Sequence, residues 1–186
     1  MIATPVVVDP TSLLRPDEPI RSQGLHLSTI IRSMLVDLDP VKYDPGKPMD
    51  LLRIEAGFAF ERALEQGLSK AFPQLHTHPG EFWIDGIVCS PDGYDLETLT
   101  VHELKCTWKS SNYPIEDRRF WHWLVQIKGY CSALNTLSAV LWVFFVNGDY
   151  RNSGPQLKRW DLTFDALELA ENWQMLCNHA KARGLL

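Results

Sequence analysis

The sequence predicts an α/β protein in which a mixed β-sheet is flanked by α-helices. The first observation behind this is order: patterns of helical and strand period follow one another as helix, strands, helix, strands, helix. The second is Ser138–Val146, SAVLWVFFV, which is apolar on both faces and suits a central strand covered from two sides. The third is composition. Of 186 residues 45% are hydrophobic and 22% charged, with seven Trp, eight Phe and five Tyr. That is enough for the core of one domain spanning 1–186, and it excludes disorder, collagen and coiled coil as descriptions of the whole.

Residues 1–27, with Pro5, Pro10, Pro16 and Pro19, read as an irregular lead-in to a core at about 28–164. Ser28 stands where an N-cap belongs, ahead of Ile30, Ile31, Met34 and Leu35, which predicts a helix over 28–37. Pro40, Pro45, Gly46 and Pro48 make 39–49 a loop. A longer helix follows over 51–72, its apolar row running through Phe60, Leu64, Leu68 and Phe72 until Pro73 ends it. Residues 81–89 and 100–108 read as β-segments, joined through Pro91-Asp92-Gly93 and a polar turn near Asp95–Thr98. An aromatic-rich helix is expected over 116–134, then the strand 138–146, the turn Asn147-Gly148-Asp149, a strand over 156–162 and a closing helix over 165–183 in the 165–186 tail.

No apolar run approaches the roughly 20 residues that a membrane helix needs, and the N-terminus lacks the basic-then-apolar order of a secretion signal. Cys89, Cys106, Cys131 and Cys177 are scattered without a C-x-x-C pair, the usage of reduced thiols in a cytoplasm. The net charge of −5 is unevenly spread: residues 1–102 hold 8 basic and 15 acidic side chains, residues 103–130 hold 5 and 3. A basic centre behind an acidic half can be a phosphate-facing surface beside a cation-binding one, or a solvated helix face.

Chemistry concentrates in Ser90-Pro91-Asp92-Gly93 and His102-Glu103-Leu104-Lys105. On a strand Glu103 and Lys105 share a face and Leu104 points to the core. A hairpin through Asp95–Thr98 brings Asp92 alongside Glu103, so that two carboxylates and an ammonium converge. Carboxylate oxygens suit hard divalent cations such as Mg²⁺; E-x-K alone also describes an exposed salt bridge. Glu61 lies in helix 51–72 with Gly57 at i−4, Leu64 at i+3 and Leu68 at i+7, on an apolar face where a lone charge is costly. A metal or an arginine would compensate it. In helix 116–134, His122, Gln126 and Tyr130 recur every four residues, with Arg119 near the start of the row. Such a row can hold a nucleic-acid strand or face solvent. His76-x-His78, in a Pro-flanked loop, reads as solvated. The absence of a P-loop, G-x-G-x-x-G or G-x-S-x-G sequence gives no support to ATP or serine-hydrolase chemistry.

Gly57-x-x-x-Glu61, Pro91-Asp92, Glu103-x-Lys105 and Gln126-x-x-x-Tyr130, in this order over about residues 28–146, resemble the PD-(D/E)XK nucleases. The resemblance is to the branch of the RecB nuclease domain, lambda exonuclease and the YqaJ-type phage exonucleases. It implies a restriction-endonuclease-like core and a Mg²⁺- or Mn²⁺-dependent deoxyribonuclease, an exonuclease of recombination or repair, plausible for a phage. It implies Glu61, Asp92, Glu103 and the Leu104 carbonyl as metal ligands and Lys105 as the catalytic lysine. Gln126 and Tyr130 would organise the site and touch DNA, with Arg119 and His122 beside them. Many RecB-like members have His where this chain has Glu61, and Glu is closer to the lambda-exonuclease pattern. A CRISPR-associated relative holds a four-cysteine iron–sulfur cluster; with no C-terminal cysteine cluster here, none is expected. The implied partners are DNA and a single-strand annealing or other recombination protein, the implied place a bacterial or phage-infected cytoplasm, and a homo-oligomer is allowed. A non-catalytic DNA-binding scaffold of the same fold and a restriction-type endonuclease are the alternatives.

Overall fold

A computed structural model describes residues 22–44, 51–152 and 154–186. The lead-in up to residue 21 and the Pro45–Met49 part of the expected loop lie outside the described residues. The backbone is a five-stranded mixed sheet with helices on both faces and a small three-stranded sheet beside it. This is the architecture that the alternating patterns predict.

The chain enters through β1 (Leu25–His26), which pairs in parallel with β4 (Ile87–Cys89). That pairing holds the backbone extended up to His26, so α1 (Leu27–Leu38) starts at once behind it. The N-cap is therefore His26, without a side-chain cap bond, and Ser28, the expected cap, lies inside the helix. Leu27, Ile30, Ile31 and Met34 form the buried face of α1 at helical spacing. Then α2 (Leu51–Ala71) leads to β2 (Leu75–Thr77).

The segment 81–89 is not one strand. Asp85 (φ +50°) and Gly86 (φ +79°) fold it into a hairpin of β3 (Phe82–Ile84) and β4. Two left-handed residues in succession are what a tight two-residue hairpin needs, and Asp-Gly supplies them at low cost.

The large sheet runs β2, β5 (Gly93–Asp95), β6 (Thr100–Thr107), β7 (Ser138–Phe145), β8 (Gln156–Thr163). Only β6 and β7 are parallel, joined by the crossover helix α3 (Trp121–Leu134). The Asp95 carboxylate makes the β5–β6 turn by accepting the amides of Glu97 (2.9 Å) and Thr98 (3.0 Å). On one face of β7, Leu141, Val143 and Phe145 are fully buried in the core under α1, α3 and α4 (Ala166–Ala182). On the other, Phe144 stacks on Phe60 of α2 at 4.8 Å, and Trp142 packs on the small cluster of Leu68, Leu75 and Leu104.

Helix α3 is shorter than the 116–134 pattern predicts. Asp117 accepts the backbone amide of Arg119 at 2.9 Å, and its own amide donates to Pro114 O at 3.1 Å. These local bonds compete with the helix ladder, and residues 114–120 become turns. The far end follows helix-stop chemistry, with Asn135 left-handed (φ 50°) and its amide capping Cys131 and Ser132.

Candidate active site

The β5–β6 hairpin juxtaposes the two strand carboxylates. Gly93 pairs with His102, so Asp92 stands beside Glu103, and Asp92 Oδ2 accepts the Leu104 amide at 2.8 Å. Glu103 and Lys105 share a face and are ion-paired, while Leu104, at 2% exposure, fills the opposite side. Glu61 reaches the same place from α2: its carboxyl feels Asp92 and Lys105 and is pushed up to about 7, chiefly by burial and then by Asp92. Burial and Asp92 also push Glu103 up, to about 8, against the pull of Lys105. Burial would lower the Lys105 ammonium, but Glu103, Asp92 and Glu61 outweigh it and hold it above its ordinary value.

Three carboxylates meet one ammonium here, an excess of two negative charges in a site where Glu103 is 1% exposed. Protons or a divalent cation can balance it. Glu103 Oε1 is taken by Lys105, and Oε2 is buried without a hydrogen-bond partner among the described residues. An all-oxygen donor set with an orphaned carboxylate oxygen fits Mg²⁺ or Mn²⁺. Among the described residues no three His, Cys, Asp or Glu side chains form a ready-made cage. Glu103 is turned toward Lys105, so metal binding requires these side chains to reorient.

The row on α3 turns toward this site. Tyr130, buried, accepts a hydrogen bond from Gln126 Nε2 at 2.7 Å, and burial together with Glu103 and Asp92 holds its phenol well above the ordinary value. At the other end His122 is driven down to about 4, by burial and then by Lys109, Lys105 and Lys42. Gln126 thus stands between a carboxylate end and a cationic end. Arg119 is not on the helix, because the turns at 114–120 precede it; it pairs with Asp117 at 2.7 Å and lies 4.0 Å from the centre of the Tyr113 ring. Trp121 and Leu124 are half-buried, packing on the core and also lining a groove.

That groove, about 1040 Å³, lies between α1, the start of α3 and α4. Its lining mixes Lys42, Arg118, Arg119 and His122 with Asp37, Asp39 and Glu116, beside Tyr43 and Trp121. Lys109 sits over the Phe120 ring, its ammonium pushed down to about 8 by burial, Lys42 and Arg119. The cations and rings at the α3 end suit an anionic, stackable strand, whereas the three carboxylates oppose one. The sequence reading missed Lys42 and Lys109, which belong to no motif. It also missed Glu65, whose signal was its place one helical turn after Glu61.

No family model matches the sequence, and no curated protein does. The fold has solved counterparts. An alkaline exonuclease from Laribacter hongkongensis, LHK-Exo, superposes with a TM-score of 0.55 at 12% identity, over 86% of this chain and 87% of that one. A phage related exonuclease from Haemophilus somnus 129PT gives 0.56 at 14% identity, over 83% and 78%. LHK-Exo is also known in complex with dAMP. The fold is that of these exonucleases, in agreement with the PD-(D/E)XK resemblance of the four motifs. Among the described residues no helix is long and apolar enough to cross a membrane.

Proposed function

We propose that this chain is a divalent-metal-dependent deoxyribonuclease that degrades DNA from ends, in recombination or repair and in a phage setting. The observation that carries this is the Glu103–Lys105 ion pair within the charge influence of Asp92 and Glu61, with Glu103 Oε2 buried and unsatisfied. The fold neighbours named as exonucleases, one of them phage related and one seen with dAMP, support the same reading.

Glu61, Asp92, Glu103 and the Leu104 carbonyl would hold the cation. Mg²⁺ or Mn²⁺, when bound, acidifies a water and neutralises charge on the phosphate. The chain's own groups do the rest. Lys105, kept charged by its carboxylate neighbours, donates to the attacking water or to a phosphate oxygen as negative charge grows there. Tyr130 and Gln126 fix the wall of the site behind Glu103. His122, kept neutral chiefly by burial and then by the surrounding lysines, offers a ring and one N–H to the strand without competing for the cation's role. The groove with Lys42, Arg118 and Arg119 holds phosphates leading away from the site.

The test is incubation of the protein with end-labelled linear DNA and closed circular DNA, with and without Mg²⁺. Metal-dependent loss of the linear DNA, with circles spared, is expected. Cutting of closed circles would favour an endonuclease, and no cleavage of either would favour a DNA-binding scaffold.

A further inference from the structure

His78 belongs to the loop histidines that the sequence leaves as solvated, and it ties two carriers of the acidic site together. Glu65 lies one turn after Glu61 on α2, so both carboxylates project from one helix face. His78 Nε2 is 2.7 Å from Glu65 Oε1; the Glu65 side chain is 15% exposed, that of His78 68%. The His78 backbone amide donates to the Asp92 carbonyl at 2.9 Å, just beyond the β2–β5 pair Thr77 and Gly93. Asp92, fixed by its carbonyl in this way, is fixed by its carboxylate on the Leu104 amide. His78 is left-handed (φ +50°), a conformation that a residue with a side chain adopts at a cost. Here it aims the ring at α2 while the amide stays on Asp92.

Helix α2 needs such a tie. Of its 21 residues only Leu68 is fully buried, and the like charge of Asp92 pushes against Glu61. We infer that Glu65 and His78 form a positioning pair that clamps α2 to the β2–β5 edge and so sets the spacing of Glu61 and Asp92. The inference rests on the reading that those two carboxylates share a divalent cation.

The pair is tested with His78→Ala, His78→Gln, Glu65→Ala and the double Ala variant of the full chain. Two quantities are measured besides DNA cleavage: the Mn²⁺ concentration that half-saturates the rise in Tm, and the amide exchange of residues 58–66 without metal. His78→Ala and Glu65→Ala should each raise the Mn²⁺ midpoint about 10-fold and speed exchange in α2. The double variant should be no worse than either alone. His78→Gln, which keeps a side-chain N–H, should stay near wild type, and saturating Mn²⁺ should restore kcat in the Ala variants. An unchanged midpoint and unchanged exchange in His78→Ala overturn the pair. So does a loss in Glu65→Ala that His78→Ala does not share, which would make Glu65 a ligand in its own right. Failure of the metal reading looks different: wild-type protein then shows no Mn²⁺ response, while faster α2 exchange in the Ala variants still supports the clamp.

Discussion

Replacing Glu61 by Gln should stabilise the metal-free protein at alkaline pH and leave it nearly unchanged in acid. The Glu61 carboxyl rises from 4.5 to about 7 in the folded chain, through burial and Asp92, with Glu65 adding to the rise and Lys105 and Arg62 opposing it. A raised carboxyl binds its proton more tightly folded than unfolded. Its contribution is therefore fully present below pH 4.5 and is lost as the pH climbs through 7. At 1.36 kcal/mol per unit, ionising Glu61 in the fold costs about 3 kcal/mol at pH 8 and about 1 kcal/mol at pH 5. Gln keeps the shape and never ionises. For a chain of this size about 3 kcal/mol moves Tm by roughly 6–12 °C. The assay is thermal unfolding of both proteins in EDTA from pH 4.5 to 8.5, repeated with Mn²⁺. In EDTA the variant should melt higher, by a margin that grows with pH. With Mn²⁺ the wild type should gain more than the variant, because the variant lacks a ligand. A margin that is absent at pH 8, or equal at pH 5 and pH 8, refutes the argument that Glu61 is held against its charge.

Lys105→Ala should abolish cleavage of linear DNA while circular dichroism shows the fold retained, and wild-type turnover in this variant would remove Lys105 from the chemistry. Tyr130→Phe should lower activity less than Lys105→Ala and cost about 1–2 kcal/mol of stability, since it strips the acceptor from the Gln126 amide; denaturant unfolding reads the loss. Arg119→Ala should weaken DNA binding and flatten its dependence on salt, because a phosphate contact goes with it, as titrations at several ionic strengths would show. Gly129→Ala should destabilise by about 1–3 kcal/mol, since its new Cβ would come within 2.6 Å of Leu27 where α1 crosses α3; urea unfolding checks this.

Legibility in the sequence followed the range of the interactions involved. Helices α2 and α4 and strands β6, β7 and β8 are written in periodic apolar residues and in stop signals such as Pro73, and the structure keeps them within a residue or two. The two-residue strand β1 is not legible, because its two residues are extended only through pairing with β4, about sixty positions away. Asp85-Gly86 was a visible hairpin signal inside a run that otherwise reads as one strand. Arg119 was assigned to a helix because period alone does not weigh the Asp117 turn that forestalls it. Side-chain alternation and the Asp95 turn already implied that Asp92 would stand beside Glu103. The tie of Glu65 to His78 was not legible, for it depends on where α2 passes the end of β2, and no spacing in the chain encodes that crossing.

The outer edge of the large sheet has a bearing on assembly. Strand β8 alternates half-buried and exposed residues, and one of the half-buried positions is Lys158, whose ammonium donates to Ser111 O at 2.6 Å and lies 5.8 Å from the centre of the Phe145 ring. Next to it Arg159 pairs with Asp161 at 2.5 Å. An inward lysine on an edge strand is a device against edge-to-edge growth, since a second sheet laid alongside would have to enclose a charge already committed elsewhere. At the opposite edge β2 has only three residues, too few to template a long partner. Neither edge of the large sheet is therefore a ready template along which a second sheet could extend it.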